Sequence, residues 1–169
     1  MDALVEEAAK KAAVAWIAVS ARPAKLVWCA WLGGALLVVS GEGEQTLPGL
    51  PEAATVEVSL RGDHGGRIVT FDAEVSTIRP DDEAWGELVT QLAGKRLNGA
   101  GGAEDLARAW AERVERGSCS VCRLTPVGGT APMPDDSQAA PPRPTTATRI
   151  PRRPFRLHKV RGAAKERRS

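Results

Sequence analysis

The sequence predicts a mainly β protein with flanking helices, built as an antiparallel barrel, and three observations carry that expectation. Several segments alternate apolar and polar residues with a period of two. No helical segment separates the early strands, so they cannot be joined by the crossovers that parallel sheets require. Two amphipathic helical segments then follow, and a last strand returns after them. Closing such a sheet into a barrel also removes exposed strand edges.

Taken in order, Asp2 is placed to cap a short helix carrying Glu6/Lys10 and Glu7/Lys11 pairs at i,i+4, ending near Val14. Trp16–Ser20 reads as a strand and Arg22-Pro23 as a turn. In Lys25–Leu32 the residues Leu26, Trp28, Ala30 and Leu32 share one face, and Val27, Cys29 and Trp31 share the other. Both faces are apolar, which predicts a single central strand. Gly33-Gly34 supplies the positive φ angles of a two-residue hairpin, with Ala35–Ser40 as the returning strand. The stretch GEGEQTLPGLPEAA interrupts the pattern before a strand at Thr55–Arg61, where Val56, Val58 and Leu60 alternate with Glu57 and Ser59. GDHGG turns the chain into a long strand, Ile68–Arg79. Asp81 or Asp82 then opens a helix through Trp85, Leu88, Val89 and Leu92 to about Leu97. A second helix, Ala103–Arg116, is closed by Gly117, and Ser118–Thr125 is the last strand.

Composition changes at Thr125. Residues 1–125 hold 13 Lys/Arg and 18 Asp/Glu, a net of −5, whereas residues 126–169 hold 10 and 3, a net of +7. The expectation is a barrel domain over residues 1–125 and a disordered Pro/Arg-rich basic tail over 126–169, where no apolar period offsets the entropy of ordering. The tail's charge is of the kind that binds nucleic-acid phosphates, but Phe155 is its only aromatic, so a solubilising extension is expected and nucleic acid is not. The apolar run Leu26–Val39 is 14 residues long and split by Gly33-Gly34, short of the roughly 20 that a spanning helix needs. The acidic residues before KKAAVAWIAVSA argue against a signal peptide. Three cysteines, Cys29, Cys119 and Cys122, do not make a disulfide scaffold, so a cytoplasmic setting is expected.

The segments AWIAVS, LVWCAWLGGALLVVSGEGEQTLPGL, TVEVSLRGDHGGRIVTFDAEVSTIRPDDEAWGELVTQLAGKRLN and WAERVERGSCSVCRLTP together resemble small actinobacterial-type members of the pyridoxamine 5′-phosphate oxidase-like superfamily. The resemblance covers about Val14 to Pro126, two-thirds of the chain, and no single motif in it is diagnostic. It implies a six-stranded antiparallel split β-barrel, the FMN-binding split-barrel fold, assembled as a homodimer. It further implies FMN or the deazaflavin F420 at the subunit interface, and an oxidoreductase transferring hydride to an unidentified small substrate. A cofactor-free barrel serving as a binding or interaction module, with the basic tail contacting acidic partners, is the alternative.

A flavin needs apolar walls for its ring system and cations or N–H groups for its phosphate. Trp28 or Trp31 is placed to supply the wall. Carried over from the family, the phosphate positions are Ser40 and Gln45 after the third strand and Arg61 and Arg67 around the next turn. Glu42 and Glu44 stand among them and either oppose a dianion or point to solvent, leaving Ser40, Gln45 and glycine N–H groups to make the contacts. The family also places Lys95–Gly99 near the barrel mouth, which leaves a ligand role open for Arg96 or Asn98. Cys119 and Cys122 form a C-x-x-C string, yet on a strand residues three apart point to opposite faces, so both are read as buried structural thiols. His64 and His158 have no ligands at metal spacing, and no metal site is expected. No residue is assigned a catalytic role: any redox chemistry falls to the flavin.

Overall fold

The computed structural model describes residues 2–61, 68–96 and 101–131. Helix α1 (Ala3–Lys11) starts where expected, Asp2 Oδ1 accepting the Leu4 N–H at 2.9 Å. It stops at Lys11 because Val14 already belongs to a strand. Seven strands follow: β1 (Val14–Ala18), β2 (Lys25–Trp28), β3 (Ala30–Leu32), β4 (Ala35–Gly41), β5 (Thr55–Arg61), β6 (Ile68–Ile78) and β7 (Cys119–Val127). They form one sheet in the order β2-β1-β5-β6-β7-β4-β3, and each of the pairings is antiparallel.

The single central strand expected at Lys25–Leu32 is corrected by this topology. The segment breaks at Cys29, and its halves β2 and β3 lie at opposite ends of the strand order. Because one residue separates those two ends, the sheet is forced to roll up into a nearly closed barrel, one strand more than the six expected. Cys29 leaves the ladder at the seam, its N–H donating to the Ala13 carbonyl at 3.1 Å. Its neighbours are apolar on both sides for a different reason from the one inferred. Val27, Cys29 and Trp31 pack with the barrel interior, while Trp28, Ala30 and Leu32 pack with a second core outside it. A seam covered on two sides has the same pattern as a central strand.

The interior core includes Ile17, Leu36, Val38, Leu50, Val58, Leu60, Phe71 and Leu124, with Val5 and Ala9 of α1 packed against it. The outer core joins Leu37, Val39 and Val121 to Trp85, Leu88, Val89, Leu92 and Trp110 of the helical segment. That segment begins with Asp82 Oδ2 accepting the Arg79 N–H at 2.7 Å. It is not one regular helix: Trp85–Val89 is π-helical and only Thr90–Gly94 (α2) is α-helical. The wider turn puts Trp85, Leu88 and Val89 onto the sheet together. Helix α3 (Ala103–Glu115) buries Ala107 and Trp110 on the same layer.

Two glycine-dependent features fix the frame. Gly33 and Gly34, at φ 56° and 76°, form the expected hairpin between Leu32 and Ala35. Gly41, at φ 139°, lets the end of β4 approach β7 so closely that a Cβ there would lie 2.4 Å from the Ser118 carbonyl oxygen. Strand β7 continues past Thr125 to Val127, opposite Asp72, and the Ala131 N–H donates to the Thr70 carbonyl at 2.8 Å. Ordered pairing therefore extends beyond the boundary expected at Thr125. The remainder of the basic tail, 132–169, lies outside the described residues, as do Arg67, His64 and Asn98.

Candidate functional site

The outward-facing side of the barrel has two unlike halves. Over β3, β4, the start of β7 and the end of β6, the helical segment covers the sheet and completes the outer core. Over β1 and β2 the outward-facing large apolar side chains are bare, Val14 being 44%, Trp16 38% and Leu26 54% exposed, and the outward positions of neighbouring β5 are polar. The registers bring them together, with Trp16 opposite Leu26 on one side and Ser59 on the other, and Val14 opposite Trp28. Ser59 Oγ and Thr70 Oγ1 continue the row at 2.9 Å from each other. Arg61 is exposed on the same side of β5 as Ser59, since Val56, Val58 and Leu60 turn inward between the outer positions.

Trp28 stands at the border between the halves. Arg96, at the end of α2, lies over its ring with the guanidinium carbon 5.3 Å from the centroid. Glu44 holds that guanidinium by an Oε2–Nη2 contact of 3.0 Å, and its other oxygen accepts the indole N–H of Trp110 at 3.0 Å. The Glu44 side chain is only 6% exposed and that of Arg96 29%. Of the two orientations left open for Glu44, solvent is excluded: a paired carboxylate can be buried where an unpaired one cannot. Glu42 does remain exposed.

Gln45 serves the seam. Its side-chain oxygen accepts the Trp28 N–H at 2.6 Å and its amide donates to the Trp28 carbonyl at 2.7 Å. One side chain thereby pairs the backbone as a neighbouring strand would, where the sheet has no strand to offer. Ser40 faces inward, buried, its Oγ accepting the Leu47 N–H at 2.9 Å. It lines a groove of about 330 Å³ with Thr46, Pro48, Ser118 and Ser120. A second concavity of about 460 Å³ lies among Thr77, Pro80, Val114 and Cys119. Neither touches the bare face. Trp31 packs against the interior core.

Of the residues expected to hold a cofactor, then, Trp28 and Arg61 share the outer side, Gln45 lies behind Trp28, and Ser40 and Trp31 point into the barrel. Trp16, Leu26, Glu44 and Trp110 were not singled out as site residues. The exposure of Trp16 has no signature in the sequence, because β1 is apolar at both parities. Cys119 joins the outer core and Cys122 the interior core, so the two thiols diverge as expected. Burial pushes the Cys29 thiol up to about 12 and Cys122 to about 11, and raises Cys119 as well. At neutral pH all are protonated and poorly nucleophilic. Among the described residues, no three His, Cys, Asp or Glu side chains converge as metal ligands, and no helix is long and apolar enough to cross a membrane.

This architecture is the split barrel. The chain is similar to the heme storage protein HutZ of Vibrio cholerae, at 18% identity and a TM-score of 0.53 over 76% of this chain and 91% of that one. A candidate pyridoxamine 5′-phosphate oxidase from Listeria innocua is 15% identical, with a TM-score of 0.45 over 73% of this chain and 90% of that one. An FAD-binding protein from Mesorhizobium loti is 16% identical, with a TM-score of 0.44 over 75% of this chain and 88% of that one. No family model matches the sequence, and no curated protein does. The split-barrel fold read from the sequence is the fold of this chain.

Proposed function

We propose that the bare half of the barrel binds a flavin-type cofactor, FMN or alternatively F420, and that a second copy of the chain covers it, making a homodimeric oxidoreductase that transfers hydride to or from a small molecule. The observation that supports this reading is the pairing of a bare apolar patch with flanking guanidinium groups. Trp16 and Leu26 offer a flat apolar surface for a ring system, and Arg61, exposed at the end of β5, and Arg96, over Trp28, offer cations for a phosphate. The residues present fit such a group. When bound, a flavin supplies the hydride acceptor or donor. The chain's own part is to hold the ring against β1 and β2, to fix the phosphate and, with the second copy, to keep water from the reacting face.

A second reading has a specific observation in its favour. Glu44 already neutralises Arg96, and Gln45 is committed to the seam, which suits a barrel without cofactor that uses the bare patch for protein contact. Titration with FMN and with F420, followed by tryptophan fluorescence and by analytical ultracentrifugation, separates the two. Saturable quenching by either cofactor supports the first reading. Dimerisation with no response to either supports the second.

A further inference from the structure

We propose that Arg96 is an oxyanion anchor on the border of the bare face, for a phosphate or carboxylate group of a ligand, and that Glu44 is the internal counter-charge that limits its strength. Three observations converge on this pair. The guanidinium is fixed from beneath by the Trp28 ring at 5.3 Å, and Trp28 is itself clamped through both backbone groups by Gln45. One N–H-bearing edge of the fork is held by Glu44 at 3.0 Å. Glu44 cannot swing away, because Trp110, fully buried in the outer core, donates to its second oxygen at 3.0 Å. A guanidinium carries five N–H donors in a planar fork. With one face stacked and one edge paired, the remaining donors are aimed rather than floppy, and the side chain keeps 29% of its surface in contact with solvent. A structural ion pair would serve as well fully covered. This one leaves its cationic end open beside the only group of strongly exposed large apolar side chains among the described residues.

Glu44 acts on the ligand through Arg96. Its carboxylate both orients the fork and opposes an incoming anion, since like charges in a partly desolvated setting repel by more than in water. Removing the charge while keeping the shape has two effects of opposite benefit. Arg96 loses its partner, so the fold is weakened, while an incoming oxyanion meets an uncompensated cation, so binding is strengthened.

The inference rests on the bare half being a ligand face, but it fails separately from the flavin reading. The probe is inorganic pyrophosphate, with succinate as the carboxylate arm, added to the full-length chain. Binding is read at the indole N–H resonance of Trp28, a signal that the Lys/Arg-rich C-terminal sequence does not report. Both anions are expected to shift it, pyrophosphate at lower concentration. Arg96→Met should abolish the shift. Arg96→Lys, which keeps the charge but loses the planar fork, should weaken binding several-fold in a folded protein. Glu44→Gln should lower the dissociation constant roughly five-fold while lowering the melting temperature. An unchanged Trp28 shift in Arg96→Met, or weaker binding in Glu44→Gln, overturns the proposal. FMN binding that ignores Arg96 discards this anchor and leaves the flavin reading. An Arg96-dependent pyrophosphate site in a chain that binds no FMN does the reverse.

Discussion

The two halves of the barrel's outer surface are made from the same kind of strand and end differently. On β4 and the start of β7, the outward residues Leu37, Val39 and Val121 are sealed under Trp85, Leu88, Leu92 and Trp110. On β1 and β2, the outward residues Val14, Trp16 and Leu26 are left bare. Apolar side chains pointing away from a barrel interior need a second layer. Among the described residues, that layer is supplied for one half only. The covered half is thus an account of stability, and the bare half is the face proposed for binding.

Substitutions should divide along the same line. The largest loss is expected on the covered half: Trp110→Ala should cost about 4 kcal/mol in chemical denaturation, since it removes a fully buried indole and the donor to Glu44. Next comes the seam. Gln45→Leu leaves the Trp28 N–H and carbonyl without their partner and should cost about 2 kcal/mol, with faster amide exchange at Trp28 and Cys29. The interior core gives a pH signature. Cys29 and Cys122 have thiols raised to about 12 and 11 by burial, above their ordinary value of 9.0. Their unfolded forms ionise first, so their contribution is intact below pH 9.0 and is lost as pH rises toward those values. The melting temperature should fall through that window, and Cys29→Ala should flatten the fall. The smallest effect belongs to the bare half. The pair Trp16→Ser and Leu26→Ser should change monomer stability by less than about 1 kcal/mol while abolishing self-association in sedimentation. A large loss of stability there would erase the distinction between the halves.

Much of this was legible in the sequence because it depends on neighbours along the chain. The alternation in β5, the Gly33-Gly34 hairpin, the Asp2 cap and the divergence of Cys119 from Cys122 are all local consequences of period and turn chemistry. The seam was not legible. Lys25–Leu32 is apolar at both parities, and that pattern cannot distinguish a strand between two others from one that breaks at Cys29 to close a sheet. The burial of Glu44 escaped for a related reason, since its partners Arg96 and Trp110 are far off in sequence and only the packed helical layer brings them near. Trp28 and Trp31 could both be marked as candidate ring walls, but the sequence could not say which of them turns outward. Trp16 could not be marked, because Val14, Ala15, Trp16 and Ile17 are all apolar and the sequence does not say which pair turns inward.

On the proposed reading the bare half, and neither of the two concavities described above, binds the ligand. Oxidative footprinting of tryptophan and nearby side chains, with and without saturating FMN, addresses it directly. Protection is expected at Trp16, Leu26 and Trp28, with Trp110 unreactive in both states. Protection confined to the groove around Ser40 and Thr46, or to the concavity around Thr77 and Pro80, would contradict it.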